Sequence, residues 1–305
     1  MNTRDESTQP SSAGPGSTRG AVPGIGELAI SGASLEDWHL VARWAADEGW
    51  NPGNDDVACY HPTDPAGFFV GRIGDTIVSA VSIVTYSDRY AFLGYYLVHP
   101  LHRRKGLGLA TWRAAFPHAG DRVVGLDAVP AQQATYGRVG FTAVGENIRY
   151  GGRPARSGTP APGVVSVAPE HLDAIAAYDR ECFPADRRDF VSRWLTAAGH
   201  RAYARLRDGR VTGYGVIRPA LEGHRIGPLF ADTTEDAGAL FDALTAHLGP
   251  DEVVALDVPE ARKDAVALAA ARGLEPRSVT VRMYNGPAPE VGAERMFGVT
   301  SLELG

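Results

Sequence analysis

A glycine-rich turn flanked by basic side chains is the clearest chemical pattern in this 305-residue sequence. It lies between a predicted strand over residues 90–98 and a predicted helix over residues 106–116. A helix start offers unpaired backbone N–H groups and the positive end of the helix dipole, and glycine lets the backbone approach a phosphate closely. The turn therefore predicts a cradle for a pyrophosphate. Its residues are Arg103, Arg104, Lys105, Gly106, Leu107 and Gly108.

Other phosphate-binding patterns fit this turn less well. Thr111 stands where a dinucleotide-binding turn would need its third glycine, and the preceding strands form a predicted meander rather than a βαβ unit. The phosphate-binding P-loop pattern is absent from the sequence. The alternative interpretation of the turn is a basic helix start that faces solvent.

The elements around the turn occur twice along the chain. Phe69 matches Tyr203 and Tyr95 matches Leu229 at a constant spacing of 134 residues, and the stretch 123–127 reappears at 253–257. Such self-similarity indicates two copies of one supersecondary arrangement. The order of predicted strands and helices within each copy indicates an α/β or α+β fold.

Composition shifts along the chain predict the domain boundaries. Residues 1–24 are rich in Ser, Thr, Gly and Pro without an apolar period, which predicts a disordered tail. Residues 151–163 carry Gly-Gly, Ser-Gly and several prolines, which is typical of a linker. We therefore expect a first domain over 25–150 and a second over 164–305.

Charge and cysteine content exclude several function classes. The formal charge of −6 provides no positive field for a nucleic acid backbone. The sequence has no apolar window long enough to span a bilayer, and its first 24 residues lack a signal-peptide core, so we expect a cytoplasmic protein with no membrane partner. Cys59 and Cys182 are too few for a disulfide framework and too far apart in sequence for a metal-ligand pair.

Two stretches together resemble a known family. The run from Leu97-Val98-His99-Pro100 to Gly108, followed by residues 134–141 with Tyr136 and Phe141, resembles the signature of the GNAT acyltransferases, the Gcn5-related N-acetyltransferases. Residues 48–53 and 297–305 resemble strings of a bacterial tandem-GNAT group. The resemblance implies two tandem GNAT-like domains, each with a mixed, mostly antiparallel central sheet flanked by helices.

The resemblance also implies a reaction. Acetyl-CoA as co-substrate would lay its pyrophosphate on residues 103–108 and pair its pantetheine with Leu97 and Val98. The Val98 backbone N–H would polarise the thioester carbonyl. Tyr136 would protonate the departing thiolate, although a tyrosine on such a helix can also be a core residue. A primary amine of a small molecule would attack directly, without a metal or an acyl-enzyme.

The general base stays open at this stage. The strand position where many relatives carry glutamate is Phe92 here. Asp127 is a candidate base, but Asp257 repeats it in the second copy, which favours a structural role. His99 is a second candidate base, and a water relay is a third route for the proton.

The acceptor side and the second copy give weaker signals. Trp50, Asp55 and Asp56 lie on a predicted loop that could bind a cationic amine or could be a solvated turn. In the second copy, acidic residues 235 and 236 replace the basic turn and Ala269 replaces Tyr136. We therefore expect one working site, in the first half, and a degenerate second domain.

Two other functions remain open from the sequence. One is a non-catalytic acyl-CoA or metabolite sensor that kept the cradle. The other is a mycothiol-synthase-like tandem acetyltransferase, although that resemblance would put the active copy second. The acceptor, the acyl-chain preference and the oligomeric state are left undetermined by the sequence.

Overall fold

The computed structural model describes residues 18–22, 26–155 and 161–305, the side chains of residues 18–22 and 26 excepted. The helices in these residues are α1 Leu35–Asp47, α2 Asp56–Tyr60, α3 Leu107–Ala115, α4 Gln133–Gly137, α5 Leu172–Cys182, α6 Arg188–Thr196, α7 Thr234–Thr245 and α8 Lys263–Ala271. The strands are β1 Thr18–Val22, β2 Gly26–Gly32, β3 Phe68–Ile73, β4 Thr76–Thr85, β5 Tyr90–Val98, β6 Val123–Ala128, β7 Thr142–Gly152, β8 Val164–Ser166, β9 Arg201–Arg207, β10 Arg210–Pro219, β11 His224–Ala231, β12 Val254–Pro259, β13 Glu275–Tyr284 and β14 Met296–Gly298.

Local sequence signals explain the helix that precedes the first meander. The Ser34 hydroxyl accepts from the Asp37 backbone N–H at 3.1 Å, and the Asp37 carboxylate accepts from the Ser34 N–H at 2.9 Å. This capping box satisfies two backbone donors at the start of α1. Trp38, Val41 and Ala45 then recur at helical spacing and are buried, so this face packs against the sheet.

The strands form one continuous sheet in the order β1-β2-β3-β4-β5-β6-β13-β7-β12-β11-β10-β9-β8, with β14 added to β11. The pairs β5–β6 and β11–β12 are parallel, and the other pairs are antiparallel. The expected mixed, mostly antiparallel fold with flanking helices is confirmed, and so is the presence of two copies.

The two halves exchange their last long strands. Strand β13 of the second half lies between β6 and β7, and β7 of the first half pairs with β12. The registers are equivalent, since Arg282 on β13 lies opposite Asp127 and Arg149 on β7 lies opposite Asp257. Strand β7 ends at Gly152, inside the predicted linker, and residues 156–160 of that linker lie outside the described residues.

Two ion pairs join the exchanged strands to their new neighbours. Arg282 donates to both carboxylate oxygens of Asp127, at 3.0 and 2.7 Å. Arg149 donates in the same way to Asp257, at 2.7 and 3.1 Å, and Arg225 pairs with Asp257 as well. Burial alone would raise the pKa of Asp257, but the charges of Arg149 and Arg225 outweigh it and lower this pKa to about 2.

One part of the predicted disordered tail is ordered, so that prediction is wrong over Thr18–Val22. This segment forms β1 and pairs antiparallel with β2, with Thr18 opposite Ile30 and Val22 opposite Gly26. An edge strand offers unpaired backbone donors and acceptors, and a neighbouring segment can satisfy them without apolar side chains. Residues 1–17, 23 and 24 of the predicted tail lie outside the described residues.

Candidate active site

A cavity of about 650 Å³ opens where two parallel strands separate. Strand β6 pairs with β5 only over Tyr90–Leu93, whereas β5 continues to Val98. Within this free stretch Tyr95 has a φ of +48°, and the register between β4 and β5 shifts between Ala80 and Ser82. The bulge and the separation of the strands leave one edge of β5 facing the cavity.

The backbone of Val98 is turned toward this free edge. His99 N–H donates to Val78 O at 2.9 Å, and Leu97 lies opposite Ala80 in the β4–β5 ladder. Because hydrogen-bonding direction alternates along an antiparallel strand, Leu97 bonds toward β4 and Val98 points the other way. Arg103 Nε donates a hydrogen bond to the Val98 carbonyl oxygen at 3.0 Å. Of the two predicted pantetheine-pairing residues, Val98 therefore presents its backbone to the gap.

The basic turn has the backbone of an anion-binding loop. Arg104 and Gly106 have positive φ values of 61° and 78°, and α3 begins directly after Gly106. Positive φ near a helix start turns successive N–H groups toward one point. Space around Gly106 is open, but a Cβ on Gly108 would lie 2.9 Å from Val98 Cγ2 and 3.0 Å from the Tyr96 hydroxyl. Gly108 thus permits the close approach of α3 to β5.

The three basic side chains of the turn have different partners. Arg103 pairs with Glu48, and Lys105 Nζ donates to the Leu101 carbonyl at 3.0 Å. Arg104 lines the cavity and makes no hydrogen bond or ion pair within the described part of the chain. Arg104 is therefore the basic side chain of this turn that is left to meet an anionic ligand.

Tyr136, on α4, lies at the cavity wall and is 8% exposed. Its ring packs near Trp112 at 5.8 Å, Phe141 at 6.0 Å and Tyr96 at 6.5 Å between centroids. Burial, with a smaller effect of Tyr96, raises the pKa of the Tyr136 hydroxyl. The hydroxyl therefore keeps its proton at neutral pH, as a proton donor must before it acts.

Asp127 borders the cavity but is committed to other groups. Its side chain is fully buried, carries the two Arg282 hydrogen bonds and accepts a third from Asn147 Nδ2 at 2.8 Å. Because its oxygens already accept three hydrogen bonds, this carboxylate has little room for a substrate. This geometry supports the structural role for Asp127. His99 instead packs edge-on against Trp44, with 5.2 Å between ring centroids.

Of the three predicted acceptor residues, the structure brings Trp50 alone to the cavity wall. Asp56 is completely buried, receives Arg218 Nε at 2.7 Å and the Tyr60 hydroxyl at 3.2 Å, and lies outside the cavity. Asp55 also lies away from it, facing Gly199 of the second half. The predicted acceptor role of Asp55 and Asp56 is corrected accordingly, because α2 turns both toward the other half of the chain.

A signal for this pairing exists in the sequence. Arg218 directly follows the buried run 213–217 of β10, and a charge in a buried strand requires a partner. The guanidinium is 1% exposed and also lies over the Trp194 ring, 4.5 Å from its centroid. Nothing in the linear pattern identifies Asp56 as that partner, since the two residues are far apart along the chain.

Replacing Asp56 by alanine should lower the free energy of unfolding by about 3 kcal/mol or more, because it leaves the buried Arg218 charge without its carboxylate. Urea denaturation measures this loss. Asp55→Ala is the matched control and should change stability little. Unchanged stability together with a raised Michaelis constant for the acceptor would restore Asp56 to substrate binding.

The corresponding features of the second half are filled by the chain itself. At the start of α7, Asp236 accepts from Arg205 Nε at 2.7 Å and Arg207 Nε at 3.0 Å. Strand β14 pairs with β11 at Leu229 and Phe230, and the following Val299 N–H donates to Asp257 O at 2.9 Å. The start of α7 thus carries a carboxylate that is held by two arginines of β9, and β14 covers the edge of β11 that corresponds to the cavity side of β5.

The second half also contributes to the cavity of the first. Ser278, Val279 and Thr280 of β13 lie in its wall, and so do Leu302 and Glu303 from the segment after β14. A Cβ on Gly94 would lie 2.0 Å from the Glu303 carbonyl oxygen, so glycine is required on β5 for this approach. Sequence reasoning missed these five residues, because the pattern of β13 does not show which sheet it joins.

Two further findings concern metal binding and membrane spanning. Within the ranges 18–22, 26–155 and 161–305, no group of three or more His, Cys, Asp or Glu side chains is placed to hold a metal ion. In the same part of the chain, every helix is too short or too polar to cross a membrane.

Comparisons with known proteins agree with this architecture. Residues 35–141 match a model described as "Acetyltransferase (GNAT) family", and residues 175–298 match one described as "Acetyltransferase (GNAT) domain". The chain is 32% identical over 273 residues to "Holothin acyltransferase" of Pseudoalteromonas sp. (strain SANK 73390), covering 90% of this chain and 93% of the relative. It is 22% identical over 198 residues to the uncharacterised N-acetyltransferase YitH of Bacillus subtilis (strain 168), covering 63% of this chain and 69% of that protein.

Solved structures show the same fold. A putative acetyltransferase from Pyrococcus horikoshii superposes with a TM-score of 0.76 at 21% identity, covering 91% of this chain and 96% of the other. A tandem GNAT protein from the clavulanic acid biosynthesis pathway gives a TM-score of 0.60 at 19% identity, covering 86% and 99%. With a family match in each half and a named acyltransferase relative along most of its length, this chain belongs to the GNAT acyltransferase family and carries two GNAT domains in tandem.

Proposed function

We propose that this enzyme transfers an acetyl group from acetyl-CoA to a primary amine of a small molecule, at one site in the first half. The observation that carries the proposal is the cavity itself. It joins the free edge of β5 at Val98, the positive-φ turn and Tyr136 in one space. In the second half the corresponding edge of β11 is covered by β14.

The residues at the cavity fit acetyl-CoA as co-substrate, which would supply the acyl group and the thiol leaving group. The turn at residues 103–108 would bind the pyrophosphate through backbone N–H groups, with Arg104 adding charge. The Val98 N–H would stabilise the negative charge that develops on the thioester oxygen. Tyr136 would give its proton to the departing sulfur. Attack by the amine would be direct, without an acyl-enzyme.

One molecule of acetyl-CoA is expected to bind per chain, because the start of α7 carries acidic residues in place of the basic turn and β14 covers the corresponding edge of β11. Calorimetry on the full chain measures this stoichiometry, and two equivalent sites would contradict the proposal. Thiol release from acetyl-CoA across a panel of amines tests the transfer step. Binding of acetyl-CoA without thiol release on any amine would favour the sensor function.

A further inference from the structure

The carboxylates in the cavity wall are balanced by basic side chains. Three carboxylates border it, and each has a basic partner: Glu48 pairs with Arg103, Asp127 with Arg282, and Glu303 with Arg225. The Glu303 pair spans 3.8 Å, and the Ser301 hydroxyl bonds the other Glu303 oxygen. Among the described residues around the cavity, no carboxylate is left unpaired to receive a cationic substrate.

The remaining basic groups also disfavour a cation. Arg149 lines the cavity and is held by Asp257, and Arg104 has no partner within the described ranges. With acetyl-CoA bound, Arg104 would lie near the pyrophosphate and the rest of the cavity wall would be close to neutral. An ammonium group entering the cavity would lose hydration without gaining an unpaired opposite charge, which is costly.

The cavity wall instead offers apolar surface. Trp50 and Tyr95 lie with ring centroids 6.3 Å apart, and Leu126, Val279 and Leu302 extend the apolar surface. Such a wall favours a ligand that is itself largely apolar.

We propose, on the basis of the function proposed above, that the acceptor is a weakly basic, largely apolar primary amine of the arylamine kind, neutral at physiological pH. Polyamines and aminoglycosides, which are polycations, are excluded by the same charge balance. The substrate class follows from the paired carboxylates together with the apolar surface of the wall.

This class of acceptor also removes the need for a dedicated base before attack. A neutral amine already carries a free electron pair, so its nitrogen forms the new bond to the thioester carbon directly. The carbon–sulfur bond then breaks, and Tyr136 protonates the sulfur. The nitrogen loses one proton to solvent, and Tyr136 regains one from solvent, so the reaction yields an amide and free CoA thiol.

A matched pair of ligands tests the substrate class without turnover. The full chain saturated with CoA is titrated by calorimetry at neutral pH with 2-naphthylamine, which is neutral, and with 2-naphthylmethylamine, which is cationic. We expect the arylamine to bind about tenfold tighter or more, because the cation meets no free carboxylate. Equal affinities, tighter binding of the cation, or no binding of the arylamine would overturn the inference.

A charge placed in the wall provides a second test. Thr280→Asp adds an uncompensated carboxylate and should raise the affinity of the cationic ligand about tenfold, whereas the neutral, similarly shaped Thr280→Asn should keep the parent order. An unchanged order in a folded Thr280→Asp chain would count against the charge argument, and the parent titration decides if that variant does not fold. Arylamine binding without thiol release would contradict the proposed transfer and leave the acceptor preference intact.

Discussion

Replacing Gly108 by glutamate is expected to abolish acetyl-CoA binding. A Cβ at this position would lie 2.9 Å from Val98 Cγ2 and 3.0 Å from the Tyr96 hydroxyl, so either these side chains or α3 must shift. The added carboxylate would also repel a pyrophosphate at the start of the helix. Calorimetry should show a loss of affinity of about 100-fold or more, since both the backbone cradle and its charge are disturbed.

Two further variants make this result specific. Gly145→Glu adds the same charge on β7 at an exposed position with no neighbouring atoms within 4 Å, and it should leave acetyl-CoA affinity unchanged. Gly108→Ala adds only the Cβ and should give an intermediate loss. Thermal melting establishes that each variant is folded. Parent-like affinity in Gly108→Glu would mean that acetyl-CoA does not use this turn.

Tyr136→Phe should lower turnover by about 100-fold, because loss of a general acid costs on that order. The phenyl ring keeps the contacts with Trp112, Phe141 and Tyr96, so acetyl-CoA affinity and stability should change little. Steady-state kinetics with the best acceptor of the panel, together with calorimetry, separate the two effects.

The control removes a tyrosine hydroxyl elsewhere. Tyr203 on β9 corresponds to Phe69 in the repeat and lies outside the cavity, so Tyr203→Phe should keep parent turnover. Weaker acetyl-CoA binding with intact turnover in Tyr136→Phe would show that Tyr136 serves packing alone.

Two features of the site in the first half depend on residues that are close together in sequence. The glycine turn and α3 are adjacent in sequence, and glycine readily adopts the positive φ that Gly106 has. The short spacing from Tyr136 to Phe141 places both on one side of the sheet, where their rings meet. Segments whose geometry depends on neighbouring residues can be predicted from composition and spacing.

The acceptor side needed contacts between distant residues. The predicted role of Asp56 depended on its place in a polar loop, but its surroundings are determined by Arg218 on β10. Likewise Leu302 and Glu303 lie in the cavity of the first half because the segment that contains them continues from β14, which is paired with β11. Side-chain pairing across a sheet interface is decided by packing, which the linear pattern does not encode.

By itself, the sequence determined that one fold occurs twice, since the apolar pattern and turn residues repeat at a constant spacing. It also determined that only the first copy has the basic turn and the tyrosine. The tertiary structure alone decided that β13 and β7 are exchanged and which residues of the second half line the first cavity. The physical reason is that the two equivalent strands have nearly the same apolar pattern, so either strand could complete either half of the sheet. Only the packing of the complete chain selects the pairing.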